Sequence, residues 1–174
     1  MKKLSLLCIA VTIIVVSAMS SVAIFAQNPK PRYPPCYPGA FEAHVYAWYD
    51  SVQSKISASF TAADLENLQH YLDGTNSVNQ GNLNYVKRLF SQVIMAYQTT
   101  EHELCITPLV TPWIGFIQNQ LTLTELSGTS TELQIWSNKD NRQLLTDYYK
   151  QKGFVEGYLT ARGLDPTAFF GNGG

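Results

Sequence analysis

The chain has 174 residues, 12 Lys and Arg against 13 Asp and Glu, and only 14% charged residues in all. Such a near-neutral balance is no footprint for nucleic acid, which calls for clustered Lys and Arg. The largest basic grouping, Lys139, Arg142, Lys150 and Lys152, is interrupted by Asp140 and Asp147 and reads as a solvated helix face.

Lys2 and Lys3, the uncharged stretch from Leu4 to Val16, and the small or polar Ser17, Ala18, Ser20 and Ser21 follow the three-part order of a secretory signal. The expected signal is 1–26, cut after Ala26, because Asn28-Pro29 opens a different composition at once; a cut after Ala23 also fits. The alternative is an uncleaved N-terminal membrane anchor, since crossing a bilayer takes roughly 20 apolar residues, although serines dilute the second half of this run. The expected location is secreted or periplasmic, with no stable membrane span after cleavage. Without Lys2 and Lys3 the balance is 10 basic against 13 acidic residues. The remaining length, about 150 residues, suits one domain with a proper core.

Residues 27–39 form a Pro-rich lead-in: Pro29, Pro31, Pro34, Pro35 and Pro38 forbid a helix and favour an extended segment. Its Cys36 pairs with Cys105, the other cysteine outside the signal, because an isolated pair in an oxidising compartment is bridged more often than free. A helical domain is expected over 40–170. Phe41, Val45, Trp48, Val52, Ile56 and Phe60 recur every three or four residues, the stripe of a helix with one buried face. Thr61 with Asp64 three residues on reads as a capped start for a second helix carrying Leu65, Leu68 and Leu72 and ending at Gly74.

After a polar loop, Thr75 to Asn82, the residues Leu83, Val86, Phe90, Val93 and Tyr97 mark a third helix. Thr107-Pro108 and Thr111-Pro112 are both cap-and-proline starts for a fourth, with Trp113, Phe116, Ile117 and Leu121, expected to end at Ser127-Gly128. A fifth region begins near Thr131 with Leu133 and Trp136 and breaks between Ser137 and Asp140. The last long helix carries Leu144, Tyr148, Val155 and Leu159 and stops at Gly163, where Leu164 folds back on Leu159. Gly153 and Gly157, four apart on it, are expected to admit a neighbouring helix of the same chain; the alternative is an exposed strip that serves a partner or self-association. Asp165-Pro166 starts a short turn bearing Phe169 and Phe170, and 171–174 form a loose tail. The fold class is all-α, five to six helices in a bundle-like or orthogonal array.

No nucleophile elbow or phosphate loop occurs. His44, His70 and His102 lack the spacing of a metal motif, so no metal site and no cofactor are expected. The titratable residues with some claim to catalysis are Glu42, Asp50, Glu101 and His102, which would serve a small secreted hydrolase; nothing in their spacing brings them together. The stronger bias is aromatic. Tyr46, Trp48 and Tyr49 on the first helix and Tyr148, Tyr149 and Tyr158 on the last suit surfaces half buried and half wet. The favoured reading is a non-enzymatic secreted or periplasmic protein that binds a macromolecule or a small apolar or aromatic ligand through them.

Overall fold

The computed structural model describes residues 32–130, 134 and 137–171. The signal or anchor over 1–26, the first part of the lead-in, Leu133 and Trp136 of the fifth helical region, and 172–174 of the tail lie outside the described residues. From Tyr33 onward the chain forms one compact unit. Among the described residues the structure is all-helical: α1 (Ala40–Ser59), α2 (Ala62–Leu72), α3 (Leu83–Thr99), a 3-10 turn (Leu104–Ile106), α4 (Thr107–Thr129), α5 (Lys139–Thr160) and the single turn α6 (Thr167–Phe170).

The apolar stripes become the core. Val45, Trp48, Val52 and Ile56 face inward from α1, and Val86, Leu89, Phe90, Val93 and Tyr97 do so from α3. α4 contributes Leu109, Val110, Trp113, Phe116 and Leu121, and α5 contributes Val155 and Leu159. α3 packs on α1, α2 and α4, while α5 lies chiefly against α4. That pair is antiparallel: Asn119 Nδ2 donates to Gln151 Oε1 at 2.8 Å, while Pro108 near the start of α4 and Tyr158 near the end of α5 line one groove. At the centre sits Trp113, fully buried, with ring centroids of Trp48, Tyr49, Phe169 and Phe170 at 5.1, 5.9, 5.4 and 4.8 Å. The indole N–H groups of Trp48 and Trp113 are buried without a well-formed hydrogen bond among the described residues, although the Tyr97 hydroxyl lies within reach of that of Trp113.

The helix ends follow the local chemistry. Thr61 and Asp64 make the reciprocal capping box: Asp64 N donates to Thr61 Oγ1 at 3.1 Å and Thr61 N to Asp64 Oδ2 at 3.2 Å. Gly163 takes φ +81°, so Leu164 N reaches Leu159 O at 3.1 Å and Leu164 buries itself against the end of α5. Lys55 Nζ of α1 donates to Thr99 O at 2.8 Å, placing a cation on the last carbonyls of α3.

Two expectations need correction. Thr111-Pro112 does not start a helix: α4 begins at Thr107 and runs through Pro112 to Thr129. Proline's fixed φ suits a helix, and the bond given up is the one its absent N–H would make four residues back. The helix ends at Thr129, one residue past the expected Ser127-Gly128. Gly128 lies inside α4 where a Cβ would overlap the backbone of Val78, the buried residue of the loop between α2 and α3, and Gly115 likewise gives room to the Gln151 side chain. The expected close-approach pair, Gly153 and Gly157, is by contrast solvent-exposed with nothing within 4 Å of a Cβ at either.

Adding methyl groups should therefore act in opposite directions on the two helices. Gly153→Ala and Gly157→Ala should each stabilise by about 0.5–1 kcal/mol, the usual cost of glycine in a helix interior, whereas Gly128→Ala should destabilise. Thermal unfolding of the three variants checks this; a neutral Gly128→Ala would contradict the packing against Val78.

Asp64 supplies a pH test. It is 9% exposed, and its carboxylate is held down to about 2 by the Tyr85 hydroxyl first, at 2.9 Å, then by Thr61 and by Arg88 Nη2 at 2.9 Å. A carboxylate lowered by folding contributes stability that is full above the ordinary value of 3.8 and is lost as pH falls toward 2. Tyr85→Phe should move that loss to higher pH. NMR titration of the Asp64 carboxyl checks the shift, and an unchanged midpoint would contradict it.

Candidate functional site

The strap Tyr33–Gly39 is exposed at every residue except Cys36, and three of its positions are proline. Its attachment is the disulfide. Cys36 and Cys105 are bonded with their Cα atoms 5.0 Å apart, across a sequence separation of 69. Closing a loop of that length restrains the unfolded chain by about 4 kcal/mol as an upper figure. Because Cys105 lies in the turn before α4, the strap is carried past the start of that helix.

This creates an open groove of about 560 Å³. One wall is the strap, with Tyr33, Pro34, Pro35, Tyr37 and Pro38. Cys36, Cys105 and Pro108 line it as well, together with Phe41 and Glu42 of α1 and with Tyr158 and Arg162 at the end of α5. Tyr37 is 85% exposed, a flat ring standing in solvent. Phe41 and Tyr158 have centroids 6.0 Å apart, and the Arg162 guanidinium lies 3.5 Å from the centre of Tyr158 and 5.1 Å from that of Phe41. Beyond the groove, Phe154, 49% exposed, continues the aromatic surface at 5.6 Å from Tyr158, next to the bare backbone at Gly153 and Gly157.

Arg162 spends little of its hydrogen-bonding capacity on the protein: Nη1 makes a long bond of 3.4 Å to Tyr158 O. Glu42 is exposed and has no hydrogen bond or ion pair among the described residues. The groove thus presents flat rings, one unspent guanidinium and one unspent carboxylate.

Of the six aromatic residues expected at a binding surface, Tyr158 alone lines the groove. Trp48 is 2% exposed and belongs to the core, so it offers nothing to a ligand. Tyr46 and Tyr49 hold α6 in place, with ring centroids each 5.2 Å from Phe169 and the Tyr49 hydroxyl donating to Phe169 O at 3.0 Å. Burial, then the charge of Asp50, pushes the Tyr49 phenol up, so it stays a neutral donor. Tyr148 stacks on Phe116 at 5.4 Å and carries the exposed Tyr149 beside it. Sequence reasoning passed over Arg162 and counted Phe41 as core, where it is half-buried.

Of the titratable candidates, only Glu42 lines the groove. Glu42 is the one acid of the groove; Asp50 lies eight positions further along α1, about 12 Å at the usual rise. Glu101 and His102 sit in the connection after α3, where His102 Nε2 is 3.0 Å from Thr107 Oγ1. His70 is occupied with Thr75 Oγ1 at 2.7 Å, and no group of three His, Cys, Asp or Glu side chains suited to a metal ion occurs among the described residues. No described helix is long and apolar enough to cross a membrane. No protein family, curated protein or solved structure matches the chain.

Proposed function

We propose that this is a non-enzymatic, extracytoplasmic binding protein whose site is the groove between the disulfide-bound strap and the facing ends of α1 and α5. The observation that carries the reading is the set of rings, Tyr33, Tyr37, Phe41 and Tyr158, gathered around one guanidinium and one carboxylate in an open concavity. Apolar faces with a few convergent polar groups are what small-ligand sites consist of. The disulfide supports an oxidising compartment, where such bonds persist. With a single carboxylate in the groove, the paired acids of a glycoside hydrolase have no counterpart there.

NMR titration with phenol and cyclohexanol as probes tests the location. The expected result is that shifted resonances cluster on Tyr33, Tyr37, Phe41, Tyr158 and Arg162. Shifts confined to the exposed Tyr149 face of α5, with the groove silent, would overturn the reading.

A further inference from the structure

The two cysteines of the disulfide are held in place very differently. Cys105 sits among anchors: Ile106 and Leu109 just after it are fully buried, and Ile106 N donates to Glu103 O at 3.0 Å. Cys36 has no such neighbours. No residue from Tyr33 to Gly39 is buried, and the segment's one backbone hydrogen bond among the described residues is the turn from Ala40 N to Tyr37 O at 2.9 Å. The buried face of α1 begins only at Val45. Both cysteines are half-buried and line the open groove, so a reagent in solvent can approach the bond between them. Opening that bond frees a segment that buries little, and segments with few buried apolar contacts open without the rest of a fold.

We propose that the Cys36–Cys105 bond is a redox release for the strap: an external dithiol opens it in the folded protein, the strap comes away, and the helical core stays intact. As a control over the groove this rests on the proposed binding role; the release itself does not. A thiolate of the dithiol attacks one sulfur of the bond, and the other leaves as a thiolate that takes up a proton. The dithiol's second thiol, deprotonated, then displaces the first protein sulfur from the mixed disulfide, and that sulfur is protonated in turn. The protein gains two thiols, and the dithiol ends as a disulfide. Cys105 keeps its place through Ile106 and Leu109, and Cys36 stays tethered to the start of α1 at Ala40. A disulfide oxidant therefore re-forms the bond by the same exchange run backwards.

Treatment with dithiothreitol in the absence of denaturant tests this, read by iodoacetamide labelling with peptide mapping and by NMR relaxation and amide exchange. Cys36 and Cys105 should both become labelled, and the amides of Cys36, Tyr37 and Gly39 should move as in an unfolded chain. The amides of Val52, Leu89 and Trp113 should keep their protection from exchange. Oxidised glutathione, added after the dithiol is removed, should restore the original spectrum. Three results overturn the proposal: cysteines that label only once denaturant is added, core protection that is lost together with the bond, or strap amides as rigid after reduction as before. Phenol separates this from the binding role. Shifts at Phe41 and Tyr158 should vanish on reduction and return on oxidation, and shifts that persist in the reduced protein would overturn the control. Their absence already in the oxidised protein would sink the binding role and leave the release of the strap to be decided by the labelling and relaxation.

Discussion

The strap from Tyr33 to Gly39 has almost nothing of its own to hold it. Its prolines deny it the donors that a helix or a ladder needs, its side chains face solvent, and it enters α1 through a single turn, Ala40 N to Tyr37 O. The covalent bond from Cys36 to Cys105 supplies the missing attachment, and it does so where α4 begins. The extended segment is thereby fixed beside the groove that Tyr158 and Arg162 also line. Without that bond the ends of α1 and α5 would face open solvent, bridged only by Phe41, Tyr158 and the guanidinium resting on both.

The rest of the domain keeps those two helix ends in register. α1 and α5 belong to different layers, α1 resting on α3 and α5 on α4. Besides the Phe41–Tyr158 contact, aromatic packing around Trp113 links them: Trp48 and Tyr49 reach it from α1, and Phe169 and Phe170 of the closing turn reach it as well, Phe169 also touching Tyr49. The turn that carries those phenylalanines follows directly from the end of α5, where Gly163 reverses the chain and Leu164 packs back.

Much of this was legible in the sequence because the relevant physics is local. Apolar spacing gave the inward faces of α1, α3 and α4, the Thr61 and Asp64 pair marked a capping box, and two cysteines left one pairing. Where the reading failed, the stripe already held the answer in part. Trp48 falls between Val45 and Val52 on the buried face of α1, so its role as core was there to be seen. Gly153 and Gly157 each precede a buried residue, Val155 and Leu159, by two positions, which is about 200° around a helix and so the side away from the core. The glycines that do admit a close neighbour, Gly115 and Gly128, answer to Gln151 and Val78, and no local pattern announces such distant partners. The groove was hidden for the same reason: it joins residues 33–42, 105–108 and 158–162, segments that only the tertiary fold brings together.

The dependence of the groove on one covalent bond can be measured directly with the Cys36→Ser/Cys105→Ser protein, following its phenol-induced shifts and its amide exchange by NMR. The account predicts that the core amides of α1, α3 and α4 stay protected while the shifts at Phe41 and Tyr158 disappear, because the wall has come away from an otherwise intact domain. Undiminished phenol shifts in the variant would contradict it, since the groove would then stand without the bond that is held to create it.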